Sequence, residues 1–207
     1  MGFIDASAEF NRVLIMGNGG SGKTWLARRI AERLRHPVNH LDDIHWQPGG
    51  YGVARDRRLR DEMVASAAEE DRWIMEGVYG QLVNMVLNRV TALIWIDLPD
   101  EECIVNVKER GIQGGGTQTQ FIGLLEWVGE YRIRTNNWNS FEAHARLYSA
   151  FAGSKWLLSD RAAVTTFAAS LPLATRPSMN DGPSPMAVWN MPVRNLLIRS
   201  SVPRGGD

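Results

Sequence analysis

Residues 12–34 have the sequence RVLIMGNGGSGKTWLARRIAERL, and the fold follows from this segment. A short apolar run comes first, a glycine-rich turn follows, and apolar residues then recur every four positions from Leu26 to Leu34. This pattern predicts a buried strand, a tight loop and a helix with one apolar face. Lys23 lies in the loop, although arginine supplies nearly all of the chain's other cations. A compact point charge is therefore favoured at this position.

Gly17, Gly22, Lys23 and Thr24 match the spacing G-x-x-x-x-G-K-[ST] between the predicted strand and the predicted helix. Glycines let such a loop curl until its N–H groups point inward, and the start of the next helix adds partial positive charge. A polyphosphate fits this concavity, with Lys23 on the β and γ phosphates and the Thr24 hydroxyl on a bridging Mg²⁺ ion. The motif thus predicts ATP and Mg²⁺ as ligands. The predicted nucleotide-binding residues are Gly17, Asn18, Gly19, Gly20, Ser21, Gly22, Lys23, Thr24 and Trp25.

Composition limits the classes of protein that this chain can belong to. It has 207 residues, 44% of them hydrophobic, and a formal net charge of zero. The length suits one compact domain, and the neutral charge argues against nucleic acid or an anionic membrane as a partner. Cys103 is the only cysteine, and neither a leader sequence nor an apolar run long enough to span a membrane is present. The composition therefore predicts a soluble, cytoplasmic protein.

Short apolar runs alternate with segments of helical spacing along the chain. Helical spacing covers residues 22–35 and 56–70. Strands separated by helices indicate parallel crossover units, so we expect a three-layer α/β domain over about residues 10–171. The predicted strands are RVLIMG (12–17), PVNHLDD (37–43), RWIMEG (72–77), TALIWIDLP (91–99) and KWLLSD (155–160).

The composition of the chain changes after Leu171. Prolines recur throughout residues 172–207, where they would interrupt a helix or a central strand. This segment is predicted to be a mostly disordered, proline-rich tail.

A phosphate-binding loop by itself leaves kinases, ATPases and GTPases open. GTPases are expected to carry an N-K-x-D sequence that recognises guanine, and this chain contains none. It also lacks the second large domain or internal repeat that mechanical ATPases use. A small phosphotransferase is the class that remains.

Four segments in order resemble the adenylate-kinase-like P-loop kinases, and in particular the group known as DNA topology modulation proteins. They are GNGGSGKTWLARRIAERL, LDDIHWQPG, RWIMEGVY and IWIDLPDEECIVNVKERG, and the resemblance covers about residues 12–170. It implies a P-loop NTPase fold with a five-stranded parallel sheet in the order 2-3-1-4-5 and helices on both faces. It also implies ATP at the loop and a small acceptor held under a mobile lid. The kinase-like domain would then occupy residues 1–171, with the lid near 111–136.

Two carboxylates follow the second predicted strand, in the sequence HLDDIHW. Ligands of open α/β sheets bind at the carboxyl ends of the strands, so Asp42 is predicted to hold the acceptor hydroxyl and to accept its proton. The alternative is that Asp42 and Asp43 both cap the helical turn that follows.

The metal-binding carboxylate has two candidates. Related kinases carry an acidic residue followed by glycine on the strand beside the phosphate loop, and Glu76 and Gly77 match that place. Glu76 is therefore predicted to hold Mg²⁺ together with Thr24, although the residue there is usually the shorter aspartate. The rival is Asp97, which also follows an apolar run.

Relatives also carry arginines around the lid. The two positions expected from the resemblance, seven and eleven residues after Pro99, hold Asn106 and Arg110 here. Arg110 is predicted to neutralise charge on the transferred phosphate. The polar segment GIQGGGTQTQ that follows is either a hinge or a plain surface loop.

Further arginines lie near the end of FIGLLEWVGEYRIR (121–134), which we predict to be the helix that returns from the lid. Arg132 is predicted to close over the phosphates, with Arg134 as its alternate. Both could instead compensate the dipole of the helix end.

These observations predict an ATP-dependent phosphotransferase acting on a small molecule, nucleoside or nucleotide, with no covalent intermediate on the protein. The alternative is an ATP-binding regulatory module that acts through a protein or DNA partner. The predicted catalytic residues are Lys23, Asp42, Arg110 and Arg132, and the predicted metal ligands are Thr24 and Glu76.

Overall fold

The computed structural model describes residues 8–48, 50–113 and 115–172. The predicted disordered tail at 172–207 therefore lies outside the described residues from 173 onward. The strands are β1 (Arg12–Gly17), β2 (Val38–His40), β3 (Trp46–Gln47), β4 (Gly50–Ala54), β5 (Trp73–Gly77), β6 (Ala92–Ile96) and β7 (Ser154–Leu158). The helices are α1 (Lys23–Leu34), α2 (Leu41–His45), α3 (Arg57–Glu69), α4 (Gly80–Val86), α5 (Asp100–Arg110), α6 (Gln118–Gly129), α7 (Phe141–Ala150) and α8 (Arg161–Ser170).

Five parallel strands form the central sheet in the order β2-β5-β1-β6-β7. Because β3 and β4 form a separate antiparallel hairpin, these are the second, third, first, fourth and fifth strands of the sheet along the chain. The predicted order 2-3-1-4-5 is confirmed. β1 lies at the centre, so the loop that follows it opens at the middle of the sheet's carboxyl edge.

Helices cover both faces of the sheet, as predicted. Val13 and Ile15 of β1 are fully buried on one face, in a cluster that includes residues from α1, α5, α6 and α8. Leu14 and Met16 are fully buried on the other face, with residues from α2, α3, α4 and α7. This alternation along one central strand produces the three-layer arrangement.

The predicted second strand, 37–43, is wrong at its end. β2 stops at His40, the last residue paired with β5, and residues 41–45 form the short helix α2. Asp42 and Asp43 therefore lie in the first turn of a helix just beyond the sheet, where acidic side chains are favoured by the helix dipole. Neither caps this helix, because its N-cap is His40 and no side chain bonds there.

The hairpin β3–β4 was not predicted from the sequence. Arg55 fastens it to α2 by donating to the carbonyl oxygens of Ile44 at 2.9 Å, Asp43 at 3.2 Å and Trp46 at 3.1 Å. One long cation thus binds carbonyl groups at the end of the short helix and at the start of the hairpin.

The helix predicted for 121–134 ends earlier, at Gly129. Arg132 and Arg134 lie beyond the end of this helix. They are therefore not placed in its last turn, where they would compensate the helix dipole. Val128 and Tyr131 are both fully buried, so the chain enters the core here and leaves the helix. Among the described residues, no helix is long and apolar enough to cross a membrane.

Candidate active site

The loop after β1 is held tightly between the end of β6 and α5. Gly20 has φ = +78°, and a Cβ built on it would lie 2.3 Å from the carbonyl oxygen of Cys103. A Cβ on Gly17 would lie 2.3 Å from the carbonyl oxygen of Ile96. Both positions therefore require glycine, for their positive φ angles and for lack of space.

Asn18 was predicted as a nucleotide contact, but its side chain turns into the protein. It is fully buried, and its Nδ2 donates to the Val128 carbonyl at 2.9 Å and to Asp100 Oδ1 at 3.2 Å. Its Oδ1 accepts the N–H of Gly19 at 2.7 Å. The asparagine therefore connects the loop to the start of α5 and the end of α6, and only its backbone is available to a ligand.

Lys23 lies across the loop at the start of α1. Only 7% of it is exposed, and its Nζ donates to the Asn18 carbonyl at 2.7 Å. Burial lowers the pKa of Lys23, while the negative charges of Glu76 and Asp42 raise it and Arg110 lowers it further. A buried ammonium group that bonds only a carbonyl oxygen gains a strong partner when a phosphate enters.

Ser21 supplies a second indication of a ligand in this loop. Its Oγ is buried and has no hydrogen-bond partner among the described residues. Buried hydroxyl groups are nearly always satisfied, so one left without a partner beside a glycine-rich loop fits a site for oxyanions.

Thr24 and Glu76, the predicted metal ligands, lie in direct contact. The Thr24 hydroxyl donates to Glu76 Oε1 at 2.9 Å, and His40 Nδ1 lies 2.7 Å from the same oxygen. Burial alone would raise the pKa of Glu76, but the His40 hydrogen bond, the charge of Lys23 and the Thr24 hydrogen bond together lower it. Glu76 is therefore a carboxylate at neutral pH.

The Thr24 hydroxyl and the Glu76 carboxylate suit a Mg²⁺ ion whose other ligands are phosphate and water. Among the described residues there is no cluster of three or more His, Cys, Asp or Glu side chains that could hold a metal by themselves. Magnesium commonly takes one or two protein oxygens and completes its shell with phosphate and water. A threonine hydroxyl and a carboxylate beside a phosphate loop meet that requirement.

Asp97, the rival candidate for the metal, is occupied elsewhere. Its Oδ1 accepts from Arg132 Nη2 at 2.7 Å. Thr24 contacts Glu76 and not Asp97, so the side of β1 that faces β5 carries the hydroxyl and carboxylate pair. Because β5 and β6 both adjoin β1, strand position alone does not separate the two carboxylates; the contact with Thr24 favours Glu76, the residue predicted from the resemblance.

Asp42 lies in the first turn of α2, directly after β2 at the same edge of the sheet. The carboxylate is exposed, and its Oδ1 accepts from the Tyr79 hydroxyl at 2.5 Å. Tyr79 follows β5, and its ring stacks on His45 with centroids 4.3 Å apart. The carboxylate is thus held beside Lys23, whose pKa it raises, while remaining open to solvent.

Arg110 is the last residue of α5 and is exposed. Its guanidinium makes no hydrogen bond or ion pair with any residue in the described part of the chain, and its charge lowers the pKa of Lys23. An arginine close enough to affect Lys23 and free of a carboxylate is available to a phosphate.

Asn106, one turn earlier on α5, contacts the phosphate loop, which the sequence did not predict. Its Nδ2 donates to the Gly20 carbonyl at 2.8 Å, and its Oδ1 accepts from Arg161 on α8. Where the resemblance leads one to expect an arginine, this chain therefore has an asparagine that holds the phosphate loop. Only the spatial approach of α5 to the loop identifies this role.

Replacing Asn106 with leucine is expected to weaken ATP binding by roughly fivefold, since one hydrogen bond that holds the loop is worth about 1 kcal/mol. Calorimetric titration with Mg·ATP would measure the change. Val105→Ala serves as the control, because Val105 is exposed on the same helix. Equal affinities for wild type and Asn106→Leu would contradict the role assigned to Asn106.

Arg132 and Arg134 are both engaged by the protein. Arg132 bonds Asp97 and lies 3.8 Å from Asp100 Oδ1, and its side chain is 38% exposed. Arg134 donates to the carbonyl oxygens of Asn139 and Trp127 and lies over the Trp127 ring. The structure therefore gives Arg134 a structural position, while Arg132 would have to exchange Asp97 for phosphate.

Trp25 was predicted among the nucleotide-binding residues and lies on the first turn of α1. Its side chain is 42% exposed, and Arg29 lies 5.5 Å from the ring centroid.

His144 is fully buried in α7. Its Nε2 lies 3.0 Å from the Val78 carbonyl and its Nδ1 lies 2.6 Å from the Tyr131 hydroxyl. Since a carbonyl oxygen only accepts, Nε2 carries the proton and Nδ1 accepts from the tyrosine. Trp95 Nε1 in turn donates to the Tyr131 oxygen at 3.3 Å.

These buried hydrogen bonds of His144 predict that the protein loses stability in acid. Burial lowers the pKa of His144 from 6.5 to about 4, so the unfolded chain binds the proton more tightly. The stability from neutral His144 is present above pH 6.5 and is lost as pH falls toward 4, by about 3 kcal/mol in all. Denaturant unfolding from pH 7 to 4 would measure it. His144→Gln, which keeps a donor for Val78, is expected to lose less stability over this range, and an equal loss would contradict the assignment.

The similarity of this chain to known proteins is found among solved structures. No protein-family model matches the chain, and no curated protein matches it. A shikimate kinase from Bacteroides thetaiotaomicron has a TM-score of 0.49 and 16% identity, over 76% of this chain and 94% of that one. Deoxyadenosine kinase from M. mycoides, solved with dCTP, has a TM-score of 0.43 and 13% identity, over 75% and 95% of the two chains. A gluconokinase from Sinorhizobium meliloti 1021 has a TM-score of 0.41 and 14% identity, over 77% and 94%.

Proposed function

We propose that this protein is a P-loop kinase that transfers the γ-phosphoryl group of Mg·ATP to a small acceptor. One observation carries the proposal: the phosphate loop presents Lys23 and Thr24 beside the Glu76 carboxylate, and Asp42 stands on the same edge of the sheet. Cation, metal donors and a solvent-open carboxylate are the groups that phosphoryl transfer requires. The finer assignment, to the adenylate-kinase-like group of DNA topology modulation proteins in the cytoplasm, is part of the same proposal and rests on the sequence motifs.

In the proposed reaction the acceptor hydroxyl attacks the γ phosphorus, an O–P bond forms, and the bond from the γ phosphorus to the bridging oxygen breaks to release ADP. Asp42 orients the hydroxyl and takes its proton. Lys23 and the loop N–H groups hold the β and γ phosphates, and Arg110 approaches the transferred group. Bound Mg²⁺, held through Thr24 and Glu76, would neutralise phosphate charge.

The lid near 111–136 within the domain 1–171 also remains a proposal. The buried side chains of Val128 and Tyr131 fix the end of α6 in the core. The bond from Asn18 to the Val128 carbonyl adds to this anchor. The part of the lid that is free to move would therefore end before Val128, and Arg132 would act from a fixed position after exchanging its bond to Asp97.

An acceptor screen tests the proposal. Nucleosides, nucleotides and small sugars would be supplied with Mg·ATP, and acceptor-dependent release of ADP would be recorded. At least one acceptor is expected to raise ADP release well above the rate of ATP hydrolysis. If none does, and a protein or DNA partner binds only in the presence of ATP, the chain is an ATP-binding regulatory module and not a kinase.

A further inference from the structure

His40 is the residue at the metal site whose chemistry the proposed reaction does not use. It ends β2, and the pairing of β2 with β5 sets it directly opposite Glu76. Its Nδ1 lies 2.7 Å from Glu76 Oε1, the oxygen that also accepts from Thr24 at 2.9 Å. Glu76 Oε2 makes no hydrogen bond with any described residue. Oε1 of the carboxylate thus accepts two hydrogen bonds, and Oε2 accepts none from the described residues.

The Glu76 side chain is long, so the two hydrogen bonds to Oε1 are important for restricting its conformation. Glu76 has one more rotatable bond than the aspartate usual at this place, and an unrestrained side chain of this length loses more entropy on binding. The Glu76 side chain is only 6% exposed, and two donors on one oxygen restrict its remaining freedom. The free oxygen is then the one that can accept from water bound to a metal.

We propose that His40 is a positioning residue for magnesium, which holds Glu76 so that Oε2 is presented to the hydration shell of the ion. This inference rests on the proposed function, since Mg·nucleotide is the ligand concerned. Partners that orient a metal-binding carboxylate contribute to metal affinity without touching the metal. His40 would act in this way through Glu76.

The alternative is that His40 only stabilises the fold by pairing with a buried carboxylate. His40 also faces the charges of Asp43 from α2 and Arg28 from α1, neither of which bonds Glu76. A purely structural role would alter unfolding, or would alter nucleotide binding equally with and without metal. A positioning role would alter only the dependence of nucleotide binding on the metal.

The experiment compares His40→Leu, which removes the donor, with His40→Asn, whose side-chain amide can donate from nearly the place of Nδ1. Asp43→Asn is the matched control, because it changes a charge facing His40 without touching Glu76. ADP is the probe, titrated by calorimetry in EDTA and at a series of Mg²⁺ concentrations. Thermal unfolding of each ligand-free variant is recorded in parallel.

In His40→Leu, we expect the Mg²⁺ affinity of the protein–ADP complex to fall by roughly tenfold or more. Metal-free ADP affinity should stay within about threefold, since its contacts are to the loop. His40→Asn and Asp43→Asn should retain the Mg²⁺ affinity of the wild type. If His40→Leu does not fold, His40→Ala replaces it as the variant without a donor.

Three results would overturn the inference: unchanged Mg²⁺ affinity in the donorless variant, an equal loss of ADP affinity with and without Mg²⁺, or His40→Asn as impaired as His40→Leu. Failure of the proposed function is a different result, in which the folded wild-type protein binds neither ADP nor Mg·ATP. That result would remove this inference together with its premise.

Discussion

Lys23→Met is expected to lower the rate of phosphoryl transfer by roughly a thousandfold, because the lost cation would stabilise charge on the β and γ phosphates in the transition state. The fold should remain, since among the described residues the buried ammonium bonds the Asn18 carbonyl alone, and burial already disfavours its charge. Methionine fills a similar volume without charge. Turnover is measured as acceptor-dependent ADP release, and the midpoint of thermal unfolding reports the fold.

Lys108→Met is the matched control for this variant. Lys108 is one of the chain's few lysines and is exposed on α5, and its ammonium group makes no hydrogen bond or ion pair with any described residue. Its replacement should leave turnover within about twofold, as is usual for exposed sites away from special features. Turnover that survives in Lys23→Met would refute the site assignment.

Asp42→Asn is expected to lower turnover by roughly a hundredfold or more, since a positioned general base contributes about that much. Binding of Mg·ATP should change by less than about threefold, because the nucleotide contacts lie in the loop and not at Asp42. The oxygen of the asparagine amide can still accept from the Tyr79 hydroxyl, so the position of the side chain is expected to be preserved. Steady-state kinetics with the acceptor, together with calorimetry with ATP, would separate the two effects.

Asp43→Asn is the control for this second variant. Asp43 is exposed like Asp42 and lies on the same short helix, and it does not bond Tyr79. It should keep turnover near that of the wild type. A loss in Asp43→Asn equal to that in Asp42→Asn would indicate a general effect of negative charge at this edge and would contradict proton transfer to Asp42.

The sequence predicts well whatever depends on local pattern. The strand, loop and helix of residues 12–34 follow from apolar spacing and from the placement of the glycines. The strand order of the sheet came with the family resemblance and is confirmed. Local patterns failed where tertiary contacts override them, as at the end of α6, where the chain turns to bury Tyr131.

The parts of the site that the sequence did not predict all depend on which strands and helices become neighbours. His40 acquires its contact with Glu76 only through the register of β2 with β5. Asn106 reaches the Gly20 carbonyl only because α5 packs on the loop. The pairing of Arg132 with Asp97 joins residues far apart in sequence. No spacing rule within one segment encodes such contacts.

Calorimetric titration of the purified full chain with ATP in the presence of Mg²⁺ tests the central claim most directly. The account predicts saturable binding at one site that weakens when Mg²⁺ is removed and weakens strongly in Lys23→Met. Absence of heat from either ATP or GTP with the folded wild-type protein would contradict it.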